Sequence, residues 1–191
     1  MGLGYWPMKR IAQKKLIAIY GAALVVLLAA VGLWAMRTLL FEENLHEVIP
    51  NEVYRSAQPS AKMLERRIRE LGLRSVINLR GKSTDSWFEA ERAVTEAYGV
   101  DLHVIRLSGD SMPSRATFQQ LVQLLDTAKR PLLFHCAGGV ERSGITAAVA
   151  VLLAGGDVEA AREQFSLSYG FMPWLGRHLP QILDDYEHWL P

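Results

Sequence analysis

The residues best equipped for chemistry lie in one run, His135-Cys136-Ala137-Gly138-Gly139-Val140-Glu141-Arg142-Ser143-Gly144. A cysteine, five residues and then an arginine can close into a loop whose backbone N–H groups turn inward around one tetrahedral anion. Gly138 and Gly139 permit the φ values that such a nest demands. Arg142 supplies a planar fork of donors for two oxygens of the anion. The same N–H groups, with the positive end of a following helix, stabilise a thiolate and make Cys136 a nucleophile near neutral pH. An anion cradle with a thiolate at its base suits phosphoryl transfer. Sulfur attacks phosphorus in line while the loop and Arg142 hold the equatorial oxygens.

Such a loop needs a strand before it and a helix after it, and both are written in the sequence. Pro131–His135 (PLLFH) is a short apolar run, and ITAAVAVLLA follows Gly144 directly. Two earlier runs, Ser75–Leu79 (SVINL) and Leu102–Leu107 (LHVIRL), also predict strands. Helical patterns alternate with them. Ser60 can cap a helix whose Leu64, Ile68 and Leu71 share a face and which Gly72 ends. A second helix is predicted from about Trp87 to Tyr98, before Gly99. Ser114 can cap a third, with Phe118, Leu121, Val122 and Leu125 on one face. Ile182, Leu183, Tyr186 and Trp189 form the core face of a last helix opened by Pro180. This order implies an α/β domain with a mostly parallel central sheet flanked by helices, and ligands bind such sheets beyond the carboxyl ends of the strands.

HCAGGVERSG resembles the His-Cys-x5-Arg-Ser/Thr signature of the protein tyrosine phosphatase superfamily, and its flanking strand and helix look like those of the dual-specificity branch. VYRSAQPS near Val53 and SVINLRG near Ser75 also look like segments of small bacterial and fungal dual-specificity-like phosphatases, in the expected order. The resemblance spans residues 48–191 and implies a phosphomonoesterase that needs no metal or other cofactor. It makes Cys136 the nucleophile that forms a phosphocysteine and Arg142 the phosphate clamp. Ser143 would stabilise the departing thiolate, His135 would tune that thiolate through loop hydrogen bonds, and Ala137, Gly138, Gly139, Val140 and Glu141 would complete the phosphate-binding loop.

The family also needs a general acid, usually an Asp on a loop after an earlier strand. Asp110 sits three residues beyond Leu107 in SGDSMPS and is the first candidate; Asp85 in GKSTDSW and Glu141 are the others. His46, His103, His178 and His188 show no metal-ligand spacing, and Trp87, Phe88 and Trp174 read as packing residues. Arg55, Arg80 and Arg106, near strand ends, could line the pocket, but ion-paired support of the loop is the expected role.

The front of the chain differs in kind. Four of the 21 bases and none of the 20 acids fall in residues 1–36, so a +4 front precedes a remainder with 17 bases against 20 acids. Residues 16–36 carry no charge over 21 residues, roughly 31 Å as a helix at about 1.5 Å per residue. They are longer than a signal-peptide core and end in bulky Trp34-Ala35-Met36 rather than a small-residue cleavage site, so an uncleaved anchor is expected. The expected order is a basic cytoplasmic N-terminus over 1–15, the membrane anchor over 16–36, a linker over 37–47 and the phosphatase domain over 48–191. Arg37, Glu42, Glu43 and Glu47 follow the span, so the positive-inside rule puts the domain outside the cytoplasm, in the periplasm of a Gram-negative cell.

One cysteine excludes a disulfide scaffold, and a net charge of +1 gives no reason to expect nucleic acid. A rhodanese-like sulfurtransferase also places a cysteine at the base of an anion loop, but the Arg142-Ser143-Gly144 sequence favours phosphate ester hydrolysis. A silent phospho-ligand binder is disfavoured because nucleophile, clamp and hydroxyl are all present. The expected substrate is a phosphoprotein or a membrane lipid phosphate. With no lysine in the loop and Glu141 within it, a highly charged substrate is not expected.

Overall fold

A computed structural model describes residues 6–36, 43–109, 111, 113–172 and 183, and the chain forms two compact units, Met1–Glu42 and Glu43–Pro191. The first contains one helix, α1 (Trp6–Met36). Its segment Lys15–Trp34 has a mean hydropathy of 2.6 with none of it buried, and its 20 residues are long and apolar enough to cross a bilayer core.

The second unit alternates strands and helices in the order β1 (His46–Ile49), β2 (Val53–Ser56), α2 (Ala61–Leu71), β3 (Ser75–Asn78), α3 (Ser86–Ala97), β4 (Asp101–Val104), α4 (Arg115–Thr127), β5 (Leu132–His135), α5 (Glu141–Leu153) and α6 (Val158–Glu163). A 3-10 turn, Leu167–Tyr169, follows. The helix boundaries have local causes. Ser60 accepts a hydrogen bond from Met63 N at 3.3 Å and Gly72 closes α2 at φ 61°. Ser114 caps α4 in the same way, accepting from Thr117 N at 3.2 Å.

The five strands lie in the order β1-β2-β5-β3-β4. The β1–β2 pair is antiparallel and every other pair is parallel. Alternate side chains along a strand face opposite ways, and the core divides accordingly. Tyr54, Val76 and Leu133 join Leu64 and Ile68 of α2 on one face. Val53, Ile77, Leu132 and Phe134 join Phe118, Leu121 and Leu125 of α4 and Ile145 and Val149 of α5 on the other. The sheet is therefore covered on both faces, as parallel sheets require. Because β5 enters between β2 and β3, the turn leaving it opens at the centre of the sheet's carboxyl edge, where the chain order reverses.

Three findings modify the sequence reading. Residues 43–47, expected as the end of a linker, are part of the fold: Asn44 is buried and His46 opens β1. The expected strand Leu102–Leu107 stops at Val104, after which the chain still bonds to its neighbour through Leu107 N to Leu79 O at 3.1 Å. Of the last predicted helix, Leu183 lies buried in the larger core cluster, while Ile182, Tyr186, Trp189 and Pro180 lie outside the described residues, as do Trp174, His178 and His188.

Candidate active site

Cys136 follows β5 directly and is fully buried, with Ala137 and Gly138 exposed above it. Two donors reach its sulfur. Gly139 N–H donates to Sγ at 3.2 Å and the Ser143 hydroxyl lies 3.3 Å from it. The same hydroxyl is 3.4 Å from the Ser56 carbonyl oxygen. One proton thus has two acceptors, and a negative sulfur is the better of them. The sequence reading of Ser143 as a donor to the sulfur has the contact it needs.

Every carbonyl of the loop between Cys136 and α5 is held from outside. Ala137 O accepts from Gln58 N at 3.2 Å. Gly138 O accepts from Asn44 Nδ2 at 3.1 Å. Gly139 O and Val140 O accept from Arg55 Nη2 at 2.9 and 3.2 Å, and Val140 O also accepts from Gly144 N at 2.7 Å. In a trans peptide the N–H points opposite to its C=O. Pinning the carbonyls outward aims the amide hydrogens inward, which is the nest that an anion needs.

Only Gly139, at φ 70°, takes the left-handed conformation expected of both loop glycines; Gly138 does not. A Cβ at Gly139 would also stand 2.6 Å from Ala57 N and 2.7 Å from the Ser56 carbonyl carbon. Backbone angle and close approach to β2 both demand glycine there.

Arg55 does the support foreseen for it by a different bond. No ion pair holds it among the described residues; besides the loop carbonyls it donates to Gln164 O at 3.0 Å and lies 4.2 Å over the Tyr169 ring. It is fully buried, and that burial pulls its guanidinium down to about 10, against the attraction of Tyr169 and Cys136. Asn44 ties the assembly further, donating to Tyr169 O at 3.1 Å and lying 2.7 Å from His46 Nε2.

Arg142 stands in the first turn of α5, half-buried, its Nε without a partner among the described residues and close to Gly109. A buried guanidinium donor at the edge of an inward-facing amide nest suits a tetrahedral anion. Glu141, the first residue of α5, is also half-buried. Asp110, the first candidate for the acid, lies outside the described residues. Asp85 is exposed, and it accepts from Ser83 Oγ at 2.7 Å and from Trp87 Nε1 at 2.9 Å. Those bonds hold its carboxyl below the usual range, the wrong direction for a proton donor at neutral pH.

His135 is fully buried, and its Nε2 meets a carboxylate that sequence inspection passed over, Glu91 Oε1 on α3. The other Glu91 oxygen accepts from Asn78 Nδ2 at 2.5 Å, and Asn78 Oδ1 accepts from Arg80 N at 2.8 Å. The signal was present in part: Glu91 falls one turn after Phe88 on the buried face of α3, where a glutamate needs a partner. Asn44 and Gln58 gave no such signal.

A model of the tyrosine phosphatase family matches residues 41–187. TpbA of P. aeruginosa, solved in complex with pTyr, is 24% identical with a TM-score of 0.56 over 68% of this chain and 76% of its own. The core catalytic domain of the PP-IP phosphatase Siw14 of S. cerevisiae is 20% identical with a TM-score of 0.62 over 78% and 95%. A putative phosphatase of Neisseria meningitidis is 18% identical with a TM-score of 0.57 over 74% and 97%. No curated protein matches the chain. With the family match spanning the loop, the sheet that carries it and the helices on both faces, the chain belongs to the tyrosine phosphatase family and is a cysteine-dependent phosphatase.

Proposed function

We propose that the domain hydrolyses phosphomonoesters through a phosphocysteine at Cys136, the reading supported above all by a buried thiol beneath a loop whose four carbonyls are turned outward. The Cys136 thiolate attacks phosphorus in line, forming the S–P bond as the ester P–O bond breaks. Inward amides and Arg142 hold the three equatorial oxygens as charge builds on them. Asp110 gives its proton to the leaving oxygen. Water then attacks phosphorus and passes a proton to the Asp110 carboxylate. The S–P bond breaks, Ser143 turns its hydroxyl proton to the departing sulfur, and inorganic phosphate leaves.

The cradle recognises a phosphate group, so the substrate is a phosphoprotein or a membrane lipid phosphate according to what the rest of the molecule offers. α1 anchors the chain in a membrane, with the basic N-terminus in the cytoplasm and the catalytic domain outside it. A C-terminal alkaline phosphatase fusion that is inactive, beside an active cytoplasmic reporter at the same position, would reverse that orientation.

The full chain in detergent micelles should release para-nitrophenol from para-nitrophenyl phosphate, and Cys136→Ser should abolish release. Turnover surviving in Cys136→Ser, or a thiosulfate sulfurtransferase activity in its place, would overturn the covalent phosphatase reading.

A further inference from the structure

Two residues beyond the paired ends of the strands lies a row that the catalytic loop does not exhaust. Ser56, His135, Asn78 and Val104 are aligned across the sheet. Two positions on stand Gln58, Ala137, Arg80 and Arg106, the last two themselves bridged. Arg80 and Arg106 therefore follow the strands that lie one and two places from β5, whose backbones are roughly 5 and 10 Å from it across the sheet. Arg80 does not trail into solvent. Its Nη1 donates to Gln58 Oε1 at 3.1 Å, reaching past the end of the intervening β5, and Gln58 N is the group that holds Ala137 O. The Arg80 guanidinium carbon lies over the Trp87 ring, 3.7 Å from its centroid, and Asp85 fixes that ring through its Nε1–H.

A guanidinium gripped in this way has lost most of its freedom without entering a contact ion pair among the described residues. Arg66, Arg67, Arg69, Arg92 and Arg130 each pair with a glutamate, whereas no carboxylate lies within ion-pair distance of Arg80 or Arg106 among the described residues. Asp85, which attracts Arg80 through space, binds both Ser83 and Trp87 through a single carboxylate oxygen, Oδ2. Stacking on an indole leaves the edge of the guanidinium fork able to donate to an oxyanion.

We infer that Arg80, with Arg106 beside it, is a second anion position flanking the cradle, and that the substrate carries a second phosphoryl group close to the scissile one. This rests on the phosphatase reading above and deepens it. It also departs from the expectation that a highly charged substrate is disfavoured: the second charge is met locally, by Arg80.

The test is calorimetric titration of the full chain in detergent micelles with two unreactive probes, propylphosphonate and propane-1,3-bisphosphonate. The wild type should bind the bisphosphonate at least about tenfold more tightly, well beyond the twofold that two equivalent ends provide. Arg80→Gln should reduce that ratio to about two, and Arg80→Lys should recover part of it. Arg106→Gln should reduce it by less, and it serves if Arg80→Gln does not fold. A wild-type ratio near two, or an unchanged ratio in Arg80→Gln or, where that variant is unfolded, in Arg106→Gln, overturns the second site while leaving the cradle intact. If neither probe binds, the phosphatase reading falls with it.

Discussion

Removing the Glu91 carboxylate should destabilise the domain far more than an average glutamate would. Glu91 is 2% exposed, and Asn78 and His135 are fully buried. Glu91→Ala leaves the Asn78 amide and His135 Nε2 without a partner in a dry interior, each costing about 1–3 kcal/mol, with a small cavity in addition. About 4 kcal/mol is expected. For a chain of this size 1 kcal/mol moves the midpoint by about 2–4 °C, so the transition should fall by roughly 8–16 °C. Glu91→Gln keeps the shape and can accept from only one of the two neighbours. His135 must then carry its proton on Nδ1, which has no partner in the wild type, and accept from the new amide through Nε2. That should cost about 1 kcal/mol, the difference between charge-assisted and neutral hydrogen bonds. Thermal unfolding of both variants in the same micelles, followed by near-ultraviolet circular dichroism, measures the two losses. Glu91→Ala within 2 °C of the wild type, or Glu91→Gln as damaging as Glu91→Ala, would refute a buried Asn78–Glu91–His135 network centred on the Glu91 carboxylate.

Gly139→Ala should cost more than the 1–2 kcal/mol usual for a left-handed non-glycine residue, because its Cβ would press on Ala57 N and the Ser56 carbonyl from under 3 Å; para-nitrophenyl phosphate turnover should fall at least about a hundredfold, the scale of a lost oxyanion donor. Arg55→Met should lower stability by about 2–6 kcal/mol, since Gly139 O and Gln164 O are left buried without a donor at about 1–3 kcal/mol each, and Arg55→Lys should restore only part of it in a denaturant titration. Asp110→Asn should slow hydrolysis of phenyl phosphate, a poor leaving group, much more than that of para-nitrophenyl phosphate. Equal loss for both would move the acid to Glu141.

Reading the sequence succeeded where the physics is local. A cysteine, two glycines and an arginine within seven positions need no distant partner to announce an anion loop. Ser60 and Ser114 cap their helices through a bond to a backbone three residues away. The apolar stripes of α2 and α4 mark their buried faces because helical periodicity is a property of the chain alone. Alternation along β2, β3 and β5 likewise sorts their side chains between two cores once both faces are covered. The +4 front and its uncharged span were legible for the same reason.

The shape of the site was decided elsewhere. Asn44 reaches Gly138 over 94 positions, Arg55 reaches Gly139 over 84 and Glu91 reaches His135 over 44. No spacing rule links such residues, and Asn44 fell in a stretch expected to be linker. They meet because β5, the last strand made, inserts between β2 and β3, and that order sets the turn leaving each strand one spacing from the turns beside it. The sequence alone offered Cys136 as nucleophile, Arg142 as clamp and Ser143 as hydroxyl donor. Only the sheet order determined which groups turn the loop's carbonyls outward, which carboxylate meets His135, and which arginine stands beside the mouth, because each of those contacts runs across strands rather than along the chain.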